Sequence, residues 1–162
     1  MWQAGLSSIL YCMETGNLMI DAQTAFSREQ RRRRRLRALG RLTGRSHRCL
    51  RVLEQALGAS PPRGRRPTGL EAIPLASIVG TAESAKARTF DAGFRPVPSS
   101  RRRWEGLWIA GRRGAALPPI SVYRLRGEHF VLDGHHRVSV ANSLGMASID
   151  AEVTELAHSG NG

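Results

Sequence analysis

The spacing of apolar positions changes several times along the chain, and each change predicts an element. Leu36, Leu39 and Leu42 recur at spacing three, and Leu50, Leu53 and Leu57 at i, i+3 and i+7. Both patterns predict helices. Ser27-Arg28-Glu29-Gln30 has the form of a capping box, so the first helix is expected to start there. Gly40 and Gly44 weaken or end it, Ser46 can cap a second helix, and Gly58 can stop that one. Residues 27–58 are therefore expected as two short helices, a helical arm. Residues 1–25 show no clear period; the stretch to residue 26 reads as a disordered start or as an extension from an upstream start codon.

Residues 59–69 hold three prolines, two glycines and three arginines and read as a linker. A second unit is expected over 70–156, with 157–162 as a tail. In it the short apolar run Ile73 to Val79 suits a strand, and 80–100 a long loop with one helical turn. Arg101 to Ile109 predicts a helix with Trp104 and Trp108 on one face. Pro118-Pro119 imposes an extended lead-in to Ile120–Leu125, which with His129–Leu132 flanks the turn Arg126-Gly127-Glu128 as a hairpin. Asp133-Gly134 then turns the chain into a short helix that stops at Gly145, and Ile149–Val153 is a last strand. Strands and helices in this order predict an α+β fold: a small mixed sheet with flanking helices behind a helical arm.

Charge adds a division that periodicity does not show. The formal net charge of +12 is unevenly spread: residues 1–66 hold fourteen arginines and four acids, and the remainder eleven bases and nine acids. Lys86 is the one lysine, an imbalance that a GC-rich genome accounts for; the location of the charge is not so explained. The chain has no long apolar run of membrane-spanning length and no secretory pattern at its start. Cys12 and Cys49 match no metal spacing or disulfide framework, so a cytoplasmic protein with reduced thiols and no membrane contact is expected.

The stretch Phe130-Val-Leu-Asp-Gly-His-His-Arg-Val-Ser-Val-Ala141 carries the most chemistry. A strand ends, a glycine turns the chain, and a helix begins. The first helical turn has unpaired N–H groups and the positive dipole end, which suits an anion such as phosphate. Gly134 permits close approach, Arg137 can fork phosphate oxygens, and His135 and His136 can add donors. Asp133 can accept from a hydroxyl or help hold a nucleotide-borne Mg²⁺. The same turn also occurs in folds that bind nothing. His129, Asp133, His135 and His136 lie close in sequence, but adjacent histidines at such a turn point apart, so no metal site is assigned.

From Ile73 to Glu155 the chain resembles the ParB/sulfiredoxin superfamily, the ParB-like nuclease domain, in four segments taken in order. Ile73-Pro-Leu-Ala-Ser-Ile78 resembles the opening strand, and Phe90-Asp91 the Phe-Asp after the first loop. Leu117-Pro-Pro-Ile-Ser-Val-Tyr123 resembles the strand written with Gln-Pro-Ile. Gly134-His-His-Arg137, followed by Ala141, resembles the phosphate box Gly-Glu-Arg-Arg of ParB and Gly-Cys-His-Arg of sulfiredoxin. With its basic helices and Asp-Gly-His-His-Arg-Val-Ser-Val-Ala box, the span 25–155 further resembles a bacterial subgroup. The resemblance implies a nucleoside triphosphate, CTP or ATP, with Gly134, His136 and Arg137 on the phosphates and a first-loop arginine whose place falls on Ala87, between Lys86 and Arg88, and is given to Arg88. His135 stands where sulfiredoxin has its cysteine, so sulfinic-acid reduction is not expected. The free serine kinases of this fold imply an alternative, an ATP- or ADP-dependent phosphotransferase with Glu83 as base and Asp133 as a catalytic or Mg²⁺-linked acid. Simple NTP hydrolysis is a further enzymatic option. A nuclease ranks last, because no cluster of acids suggests two metals.

Arg31, Arg32, Arg33, Arg34 and Arg35 put five charges in a row, which on a helix surround the axis. DNA or RNA backbone is the expected partner, bound without sequence preference, since the aromatics of a single-strand platform are missing. A homodimer is compatible with the sequence.

Overall fold

The computed structural model describes residues 15–44, 49–58 and 61–157. Its longest helix, α1, spans Leu18–Leu42 and is capped by Asn17, whose Oδ1 accepts from Met19 N at 3.0 Å and Ile20 N at 3.5 Å. Ser27 therefore lies within the helix, and the start expected there is corrected. Packing is the reason. Ala22, Ala25 and Phe26 are buried against Trp104, Trp108 and Val140, a contact that stabilises turns which local signals leave unassigned.

The second helix expected in 46–58 is also corrected. Its cap Ser46 falls outside the described residues; Arg51–Val52 form strand β1, and Leu53–Leu57 alone form helix α2. Strand β1 runs parallel to β3, Ile78–Thr81. A glycine is required at this pairing, because a Cβ on Gly80 would collide with the Arg51 carbonyl. The Pro- and Gly-rich segment read as a linker enters strand β2, Gly64–Pro74, from Gly64 onward. Strand β2 lies at the sheet edge, and a register shift between Pro67 and Gly69 accommodates the proline. The strand expected across Ile73–Val79 is interrupted by a 3₁₀ turn at Leu75–Ser77.

The remaining elements follow the periodicity within a few residues: α3 (Lys86–Thr89), α4 (Arg101–Arg112), β4 (Ile120–Leu125), β5 (Glu128–Asp133), α5 (His135–Ser143) and β6 (Ser148–Ala157). The six strands form one mixed sheet in the order β1-β3-β5-β4-β6-β2. The fold class is α+β, a mixed sheet with flanking helices and a basic helix ahead of it.

Three apolar clusters fix the layers. Ile120, Val122, Val131 and Val153 of the sheet pack with Val138 and Ala141 of α5, and Phe90 and Phe94 close this core. Helices α4 and α1 pack beyond α5. Trp104, with no exposed surface, meets Phe26 edge-on at 5.5 Å and donates from Nε1 to Ser139 Oγ at 2.8 Å. In the third cluster, Leu53 of α2 packs with Leu125, Phe130 and Leu156. Among the described residues no helix is long and apolar enough to cross a membrane.

The segment from Glu83 to Val97 is pinned to α1. Gln30 Nε2 donates to Pro96 O at 2.9 Å, and Arg33 Nη1 to Thr89 O at 3.3 Å. Arg95 Nε reaches Glu29 Oε2 at 3.1 Å, and its Nη1 lies 3.3 Å from Asp91 Oδ2.

Candidate functional site

The turn from β5 into α5 is built as a left-handed glycine. Gly134 has φ +102°, a conformation L side chains rarely adopt, and a Cβ there would run into the Ile120 side chain. Gly134 is also the N-cap and supplies no side-chain hydrogen bond, so no side chain caps the first turn of α5.

A cleft of about 160 Å³ opens beside this turn. Glu83 and Lys86 line it from the first loop, Arg103 and Leu107 from α4, and residues Leu132 to Arg137 from the turn. The structure thus brings Glu83, Asp133, Gly134, His135, His136 and Arg137 together. Arg88 is not in the lining. Lys86, two residues earlier on α3, is the first-loop cation that reaches the cleft. Lys86 and Arg103 take part in no salt bridge or side-chain hydrogen bond among the described residues.

Arg137 is already engaged. Its Nη1 donates to the carbonyls of Pro118 at 2.6 Å and Pro119 at 2.5 Å, and its Nη2 to Asp133 Oδ2 at 2.5 Å. It ties the Pro118-Pro119 lead-in to the turn and retains part of its donor capacity. Its carboxylate partner faces solvent, the Asp133 side chain being 70% exposed.

The two histidines are uncharged near neutrality. Burial, with Lys86 and then His136 adding repulsion against an opposing pull from Asp133, lowers the His135 pKa to about 4. Burial, then Arg103 and Lys86, lowers that of His136 to about 4. His135 Nε2 shares a hydrogen bond of 2.8 Å with Thr81 Oγ1 and its ring stacks on Phe90; His136 meets the same ring edge-on at 5.0 Å. His136 Nε2 is buried and has no hydrogen-bond partner among the described residues. Neutral rings can offer one N–H donor each, and they leave the positive charge of the cleft to Lys86, Arg103 and Arg137.

Helix α1 carries the second basic surface. Arg28, Arg31, Arg32 and Arg35 line a shallow groove of about 400 Å³. Arg34 is exposed, while Arg33 is buried at 3% and turned toward Thr89, as a 100° step per residue requires of five consecutive positions. Burial, followed by repulsion from Arg37, lowers the Arg33 pKa.

Of the two cations beside Ala87 it is Lys86, not Arg88, that lines the cleft, while Arg103 and Leu107 were not expected there. Arg103 and Leu107 stand four apart, one position before Trp104 and Trp108, so the face next to the tryptophans was open to inspection. Among the described residues no group of three or more His, Cys, Asp or Glu side chains converges as a metal site.

No family model and no curated protein matches the chain. Among solved structures, sulfiredoxin from Arabidopsis thaliana is similar to 52% of this chain and 82% of that one, with 20% identity and a TM-score of 0.40.

Proposed function

We propose that this protein binds the phosphate chain of a nucleoside triphosphate, CTP or ATP, in the cleft beside Gly134. One observation carries the reading: the side-chain-uncapped first turn of α5 opens beside Lys86 and Arg103, two cations without an anionic partner among the described residues. Free amides, a helix dipole and two unpaired cations favour a polyanion over any neutral ligand. Mg²⁺ can enter with the nucleotide, since Glu83 and Asp133 border the same space. Calorimetric titration with Mg-CTP and Mg-ATP tests this. Joint replacement of Lys86 and Arg103 by Ala is expected to weaken binding by about a hundredfold, two charge-assisted contacts at roughly 1.5 kcal/mol each. Unchanged affinity in a folded double variant contradicts the proposal. Because Arg137 also holds two carbonyls, its replacement is a poorer test.

The outer arginines of α1, Arg28, Arg31, Arg32 and Arg35, are proposed to meet nucleic-acid phosphates without sequence preference.

A phosphotransferase is the second reading, favoured by one further observation: Glu83 and Asp133 both line the cleft. A base there can take the proton of an acceptor hydroxyl. Incubation of labelled ATP or ADP with free amino acids checks it; product formation that stops in Glu83→Gln supports turnover, and absence of product from folded protein rejects it.

A further inference from the structure

We infer that the cleft selects its ligand by the phosphate chain and is indifferent to the base. The inference rests on the phosphate-binding reading above and specifies its ligand class. A space of about 160 Å³ falls short of the roughly 300 Å³ at which pockets begin to enclose a whole organic ligand. Its lining is polar and charged, with Leu107 and Leu132 as the apolar members. The rings in its lining are the imidazoles of His135, stacked on Phe90, and of His136, edge-on to the same ring; no Phe, Tyr or Trp among the described residues lines it. Elsewhere among the described residues, Phe26, Phe90, Phe94, Trp104, Trp108 and Phe130 are all buried. Tyr123, the aromatic left partly accessible, lies on β4 with the Arg65 guanidinium 5.4 Å from its ring centre. A base extending from the cleft therefore meets no Phe, Tyr or Trp ring among these residues, and stacking on such a ring is the usual contact worth about 1–3 kcal/mol per base. The phosphates, by contrast, meet Lys86, Arg103 and the amides of α5 whatever nucleoside they carry. The ligand class is a chain of two or three phosphates, with or without a nucleoside attached.

Calorimetry of the full chain against Mg²⁺ complexes of CTP, ATP, GTP, UTP and inorganic tripolyphosphate tests this, with cytidine and adenosine as base-only probes. The four nucleotides are expected within about threefold of one another, tripolyphosphate at least as tight, and the nucleosides without measurable heat. A preference of about tenfold or more for one base, or tripolyphosphate more than about tenfold weaker than the best nucleotide, overturns base indifference while leaving phosphate binding standing. If no phosphate compound binds, the proposed function fails and this inference with it. Two variants locate the signal. Arg103→Gln should weaken all five ligands by the same factor. Replacing Arg28, Arg31, Arg32 and Arg35 by Gln should leave tripolyphosphate binding intact; its loss there assigns the heat to α1 and overturns the inference.

Discussion

At the scale of single residues, the site depends on a glycine and two histidines. Gly134→Ala combines a left-handed backbone with a collision against Ile120, so a loss of about 2–3 kcal/mol is expected in urea denaturation. The histidines give stability a pH dependence with a definite sign. Their folded pKa values, about 4, lie below the ordinary value of 6.5, so the unfolded chain binds protons first. Their contribution is full above 6.5 and is lost as pH falls through about 4. Unfolding at pH 5 should take up about two protons at these side chains, measurable by comparing calorimetric unfolding in buffers of different ionisation heat, and about one fewer in His136→Gln. The box itself was legible because strand end, glycine and helix start are local signals. Arg103, and the choice of Lys86 over Arg88, were not, because only packing of the first loop and α4 around the turn brings these side chains to it.

Among the elements, α1 has two opposed tasks. Its inner face, Ala22, Ala25 and Phe26, holds Trp104, and Trp104→Ala should cost about 3–5 kcal/mol, read as a fall in thermal midpoint. Arg28, Arg31, Arg32 and Arg35 on its outer face make no hydrogen bond or ion pair among the described residues. Replacing Arg28, Arg31, Arg32 and Arg35 by Gln should change stability little, yet lower the log–log salt slope of DNA or RNA binding by about 3 to 4, at about 0.9 per phosphate. Arg33→Ala should do the reverse: lower stability by about 1–2 kcal/mol and leave the salt slope unchanged. The capping-box signal at Ser27 misplaced the helix start because Leu18, Ala22, Ala25 and Phe26 form an i, i+4, i+7, i+8 stripe made largely of small alanines. The proline-rich run hid β2 for another reason. Proline is tolerated at an edge strand, and edge position is a property of the sheet, not of the segment.

For the whole molecule, the basic helix and the cleft domain form one packed body. Removing α1 would strip cover from Trp104 and Trp108, so point substitutions, not deletion, are the way to separate nucleic-acid contact from nucleotide binding. The sheet order was beyond local patterns, since β2 finds its partner β6 more than seventy residues away. That strand is the last made and sits between β4 and β2. On a ribosome, two finished strands must therefore wait with open edges until Ser148–Ala157 has left the exit tunnel, and a nascent chain arrested before that point should remain protease-sensitive along its whole emerged length.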